Sequence, residues 1–122
     1  MNCYTICLGS NCAEKEARLA DAAQFLTQLG TLTARSGAFL SEPEFSAPGP
    51  LYLNEVLEMA SAQPYDALHT NIKAYETALR SNYRGEGVCI DIDIVVANGE
   101  CLRPADASAH YFRTGLARLK TL

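Results

Sequence analysis

"VCIDIDIVV", Val88 to Val96, decides the fold: Ile90, Ile92 and Ile94 alternate with Asp91 and Asp93. A period of two belongs to a β-strand, whose successive side chains point to opposite faces. The isoleucines predict one buried face. The aspartates share the other, with Cβ atoms about 7 Å apart, twice the rise per residue. Carboxylates are rarely buried without a partner. Two of them this close tend to raise each other's pKa, and a divalent cation between them removes the conflict. Mg²⁺ is held in this way by one or two carboxylates, with water and substrate phosphates completing its shell. A solvated strand face carries the same short pattern, so D-x-D gains meaning only from its surroundings.

Working outward toward the C-terminus, "ANGE" at 97–100 is a turn by its Asn-Gly pair. A short strand through Cys101 and Leu102 is expected to pair back before Pro104. The tail from Asp106 predicts a helix with Ala109, Phe112, Leu116 and Leu119 on one face and Asp106 or Ser108 as cap.

Toward the N-terminus, "SNYRGEG" at 81–87 is a loop. Before it, Leu68, Ile72, Tyr75 and Leu79 have helical spacing, with Pro64 in the first turn. "LYLNEVLEMA" at 51–60 alternates: Leu53, Leu57 and Met59 face one way, Tyr52, Asn54 and Val56 the other. Glu55 falls on the apolar side, which alternation does not explain. "SEPEFSAPGP" at 41–50 is a loop by its prolines, and "TLTARSGAF" at 31–39 is a second strand. Leu19, Ala22, Leu26 and Leu29 give the first helix, capped by Ser10 or Asn11, with Glu14 and Glu16 in its first turn and Gly30 as its stop. "CYTICLG" at 3–9 is the first strand.

The order β-α-β-β-α-β plus a tail is the split βαβ arrangement of the α+β class. It is a ferredoxin-like antiparallel sheet with helices on one face, extended here by a C-terminal hairpin strand and helix. The second sheet face needs cover from loops, a partner chain or a ligand. With 122 residues, 48% of them hydrophobic, a single domain over 1–122 with one packed core is expected.

A net charge of −4 without a basic cluster argues against a nucleic-acid partner. No apolar run approaches the ~20 residues of a membrane span, and the N-terminus lacks the basic and apolar start of a secretory signal. A cytoplasmic protein is expected. The odd set Cys3, Cys7, Cys12, Cys89 and Cys101, with no C-x-x-C pair, reads as small thiols rather than a disulfide framework or a zinc site.

With these motifs in place, the chain resembles the 6-hydroxymethyl-7,8-dihydropterin pyrophosphokinase family along nearly its whole length. "CLGSN" at 7–11 is similar to the family's opening strand and turn, and "FLSEPEF" at 39–45 to its Tyr-x-Thr-x-Pro loop. "LYLNEVLEM" resembles its Leu-Asn strand, "SAQPYDALHTNIKAYETALR" its second helix, and "CIDIDIVVANGECL" its D-x-D strand and hairpin. Each element is short; their order and spacing give the match its specificity.

The resemblance implies transfer of pyrophosphate from MgATP to the pterin hydroxymethyl group, with release of AMP. It implies that Asp91 and Asp93 hold two Mg²⁺ ions, with Arg84 also catalytic. Ser41, Pro43, Phe45, Tyr52, Asn54 and Phe112 would bind the pterin. Lys73, Glu76, Arg80, Arg84 and His110 would bind the nucleotide. ATP and the pterin are thus the expected partners; oligomeric state is left open. The sequence departs from the family pattern at Gly85, where tryptophan is usual, at Val88, where a second arginine is usual, and at Ala105, where histidine follows the proline. Two readings from other classes therefore stand beside the enzyme: a non-catalytic descendant binding a pterin, a nucleotide or a protein partner, and an interaction module that dimerises through its bare sheet face.

Overall fold

The computed structural model describes residues 1–41 and 50–122. The chain runs β1 (Asn2–Ser10), α1 (Lys15–Leu26), β2 (Thr31–Arg35), β3 (Phe39–Ser41), β4 (Tyr52–Ser61), α2 (Tyr65–Asn82), β5 (Asp91–Ala97), β6 (Glu100–Cys101), α3 (Pro104–Ala107), α4 (His110–Arg118) and β7 (Lys120–Thr121). Among the described residues the strands form one sheet in the order β6-β5-β1-β4-β2-β7, with β3 also pairing β4. Every pairing is antiparallel. The expected ferredoxin-like frame is present.

Alternation places the main core as read from sequence. Tyr4, Ile6, Leu8, Leu53, Leu57, Met59, Ile90, Ile92 and Ile94 pack beneath Leu19, Ala22, Ala23 and Leu26 of α1 and Leu68 and Ile72 of α2. Burying each large aliphatic side chain contributes about 1.5–3 kcal/mol relative to exposure. This layer is the main cohesive term that holds β5 in register.

Glu55, unexplained by pattern, is 3% exposed on this apolar side. Arg35 donates to it through Nε at 3.0 Å and a terminal nitrogen at 2.9 Å, and the Gly37 N–H donates at 3.2 Å. A buried carboxylate persists when its lone pairs are met in this way. The bonds also sit where β2 ends and β3 begins, so the predicted single strand over 31–39 is two strands joined through Ser36–Ala38.

Several local expectations change. Neither Ser10 nor Asn11 caps α1, which begins at Lys15 after an uncapped Glu14. Ser10 Oγ instead donates to the Val88 carbonyl at 3.1 Å, and Asn11 Oδ1 accepts from the Val88 N–H at 2.5 Å. These polar side chains tie the first turn to the segment entering β5. Asn98 and Gly99, with φ of 50° and 82°, make the expected tight turn.

The tail differs most. It is two helices, not one from Asp106, and it crosses the second sheet face. The chain leaves β6 at one edge and reaches β7 beside β2 at the other. Phe112, 1% exposed, packs there with Cys7, Val56 and Val95. Gly115, rather than Leu116, meets the sheet: a Cβ on it would lie 2.2 Å from Val56 Cγ2, whereas Leu116 is exposed. Helices thus lie on both faces, two of them additional to the ferredoxin-like pair. Gly115→Ala is expected to lower the urea midpoint by an amount equivalent to about 1–3 kcal/mol with an unchanged m-value. An unaltered midpoint would show that α4 does not press on Val56.

Candidate active site

The register sets the site. Asp91 is opposite Gly9, and Gly9 is opposite Asn54. Asp93, Cys7 and Val56 form the adjacent row. Opposed residues share a face, so both aspartates lie on the same side as Tyr52 and Asn54, opposite the main core. Phe112 covers the Cys7–Val56 row, and the Gly9 row lies next to it along the strands.

Gly9 is the middle of this floor. A Cβ there would stand 3.4 Å from Asn54 Oδ1 and 3.7 Å from the Tyr52 ring. Its missing side chain leaves room between Asp91 and Asn54, about 10 Å apart by two strand spacings. Asn54 is 4% exposed, and its amide donates to Ser41 Oγ at 2.5 Å. That bond orients the amide with its carbonyl oxygen toward Gly9. Tyr52 is half-buried; burial, then the Asp91 charge, raises its phenol pKa.

Asp91 and Asp93 are half-buried. Burial is the largest cause raising the Asp91 pKa, followed by the Asp93 and Glu76 carboxylates; Lys73 and Arg80 pull it back. Burial also raises Asp93, opposed by Arg103 and aided by Asp106. The protein thus leaves the strain between these carboxylates only partly relieved. Both offer oxygen alone, the donor a hard cation prefers. Among the described residues no group of three or more His, Cys, Asp or Glu side chains converges on a metal position. Further ligands would have to be water and phosphate, which is how Mg²⁺ is commonly held.

Glu76 is buried, 3% exposed. Its Oε2 accepts from the Ile92 N–H at 2.7 Å, and Lys73 Nζ lies 2.9 Å from its Oε1. It holds α2 against β5 between the two aspartates, so Lys73 and Glu76 are more than a surface pair. Arg80 is exposed and acts on Asp91 through its charge. Arg84 is not brought to the aspartates; it folds onto its own loop, donating to the Ser81 and Tyr83 carbonyls at 2.9 and 3.2 Å. His110 is exposed at the start of α4, 3.5 Å from the Thr114 hydroxyl. Phe112 is a core residue rather than a free aromatic cover. Pro43 and Phe45 lie outside the described residues.

A family model described as 7,8-dihydro-6-hydroxymethylpterin-pyrophosphokinase matches residues 5–119. The chain belongs to this family. Pyrophosphokinases of this family transfer the pyrophosphoryl group of ATP to hydroxymethyldihydropterin in folate biosynthesis and use Mg²⁺, so membership gives this chain an ATP-dependent pterin diphosphokinase activity. Among curated proteins none matches the chain. No helix among the described residues is long and apolar enough to cross a membrane.

Sequence reading missed Gly9, which has no side chain to draw notice, and the group Arg103–Asp106–Tyr111. Arg103 Nε donates to Asp106, Tyr111 Oη donates to Asp106 at 2.9 Å, and an Arg103 terminal nitrogen is 3.8 Å from Asp93. Hairpin arithmetic could have found the arginine: a turn at Asn98-Gly99 sends residues 100–103 back along β5 toward Asp93.

The raised carboxylate predicts a pH dependence. A group whose pKa is higher folded than unfolded binds more protons in the native state, so stability falls as pH rises through that window. For Asp91 the window begins at about 3.9, the ordinary carboxylate value, and extends upward. With metal chelated, Asp91→Asn is expected to raise the urea midpoint at pH 7 and flatten its fall above pH 4. A lower midpoint at pH 7 would contradict unrelieved repulsion.

Proposed function

We propose that residues 1–122 act as one compact pyrophosphokinase domain whose reaction takes place over the Asp91–Gly9–Asn54 row. The observation that carries this reading is the shared face: two carboxylates and an aromatic-amide pair lie on one side of the sheet, with a glycine between Asp91 and Asn54. The pterin is assigned to the Asn54 end. Tyr52 offers it a ring face, Asn54 donates to and accepts from its edge, and Ser41 fixes the Asn54 amide. Pro43 and Phe45 are retained as pterin contacts on the resemblance alone.

The triphosphate is assigned to the aspartate end. Asp91 and Asp93 are the proposed ligands of two Mg²⁺ ions, which when bound neutralise charge on the phosphates and orient them. Lys73 and Arg80 stand on the adjoining side of α2, where their charge already reaches Asp91. Glu76 fixes β5 and Lys73 rather than touching nucleotide. Phosphoryl-type transfer asks mainly for positioning, and the sheet supplies it: the pterin hydroxymethyl oxygen attacks the β-phosphorus from the Asn54 end while AMP leaves on the far side. Arg84 and His110 are left with no assigned contact. ATP and a folate precursor as substrates support a cytoplasmic setting.

Purified protein given MgATP and 6-hydroxymethyl-7,8-dihydropterin is expected to form AMP, monitored by chromatography. Asp91→Ala should lower the rate at least about 10²-fold, the scale for losing a group that stabilises transition-state charge. Asn54→Ala should weaken pterin binding about tenfold, leaving binding of a non-hydrolysable ATP analogue within twofold, by calorimetry. That corresponds to one hydrogen-bonding group of about 1.4 kcal/mol. Pterin binding without AMP formation would favour the non-catalytic reading. Neither binding nor turnover would favour the interaction module.

A further inference from the structure

The cations around the aspartates come from two sides. Lys73 and Arg80 approach Asp91 from α2. Arg103 approaches Asp93 from the link between β6 and α3, and neither sequence pattern nor resemblance gave this residue a role. We propose that Arg103 is a further nucleotide-binding residue, placing a guanidinium on the polyphosphate from the Asp93 side. The inference rests on the proposed function and extends it to a residue of this chain's own hairpin.

Three features of the geometry support it. First, the guanidinium is only partly committed. Nε is bonded to Asp106, one terminal nitrogen stands 3.8 Å from Asp93, beyond a hydrogen bond, and the other has no bonded partner among the described residues. The side chain is 47% exposed. Arginine recognises phosphate with two parallel N–H groups, and the pair of terminal nitrogens remains available for this.

Second, the side chain is held in place. Asp106 grips Nε, and the Tyr111 hydroxyl donates to the same carboxylate at 2.9 Å. Tyr111 packs beside the Phe112 cluster that fixes α4 on the sheet. An otherwise flexible cation thus has its fork oriented before any ligand arrives, which reduces the entropy lost on binding.

Third, the position is right for the charge. A divalent cation held on Asp93 would bring the nucleotide's phosphate oxygens close to that carboxylate. An Arg103 nitrogen already 3.8 Å from Asp93 Oδ1 stands next to phosphate so placed. Arg84 instead rests on its own loop, one terminal nitrogen donating to both the Ser81 and Tyr83 carbonyls.

The test is calorimetry with the full chain, using the α,β-methylene analogue of ATP with Mg²⁺ and, separately, 6-hydroxymethyl-7,8-dihydropterin. Arg103→Ala is expected to weaken the analogue at least tenfold, leaving pterin affinity within twofold; in turnover, KM for ATP should rise while KM for pterin holds. Arg103→Lys, which keeps the charge and loses the fork, should recover part of the affinity. Because Arg103→Ala frees Asp106, Arg103→Gln serves as a second variant, with thermal unfolding reporting that each is folded. Wild-type binding with an unchanged analogue affinity in folded Ala and Gln variants overturns the role of Arg103 and leaves the proposed function standing. Equal weakening of analogue and pterin shows a merely structural arginine and overturns it also. A wild-type protein that binds no analogue overturns both.

Discussion

The structure depends on the register of three antiparallel strands, β5, β1 and β4. Because opposed residues in a sheet share a face, that register puts Asp91, Gly9 and Asn54 in one row and Asp93, Cys7 and Val56 in the next. A slip of one residue would turn Ile92 and Ile94 out of the core and bring the aspartates in. The isoleucine layer under α1 and α2 therefore does two things at once: it supplies cohesion and it keeps the carboxylates on the opposite face. Stability and site geometry share one cause.

Two buried glutamates make that register more specific. Glu55 collects Arg35 and the Gly37 N–H at the β2–β3 break, and Glu76 collects the Ile92 N–H at the start of β5. Each would be costly if left unpaired. Each instead joins elements distant in sequence at a position where the sheet is irregular or lacks a neighbouring strand. The unrelieved charge is concentrated elsewhere, at Asp91 and Asp93, where burial and neighbouring carboxylates raise both pKa values. Such a site is held together by the rest of the fold rather than contributing to it, which is common where a ligand completes the electrostatics.

The C-terminal tail covers part of the sheet face opposite α1 and α2. α4 seats Phe112 over Cys7, Val56 and Val95 because Gly115 lets its backbone approach Val56. The same crossing brings Tyr111 and Asp106 to Arg103, so the short tail fixes a cation beside Asp93. The apolar periodicity of the tail suggested one helix with Leu116 inward. A backbone close enough to need glycine inverted that choice.

The sequence by itself determined the strand and helix order, the isoleucine–aspartate division in β5, and the common face of Tyr52 and Asn54. Those follow from periods of two and 3.6, which are local properties of a chain. It also carried the family's ordered motifs, which the match over residues 5–119 bears out. Only the tertiary structure decided the partner of Glu55, the burial of Glu76 and Phe112, the withdrawal of Arg84 onto its loop, and the meeting of Arg103 with Asp93. Each of those depends on contacts between elements, and no local period encodes which side chain a long-range pairing will bring within 3 or 4 Å.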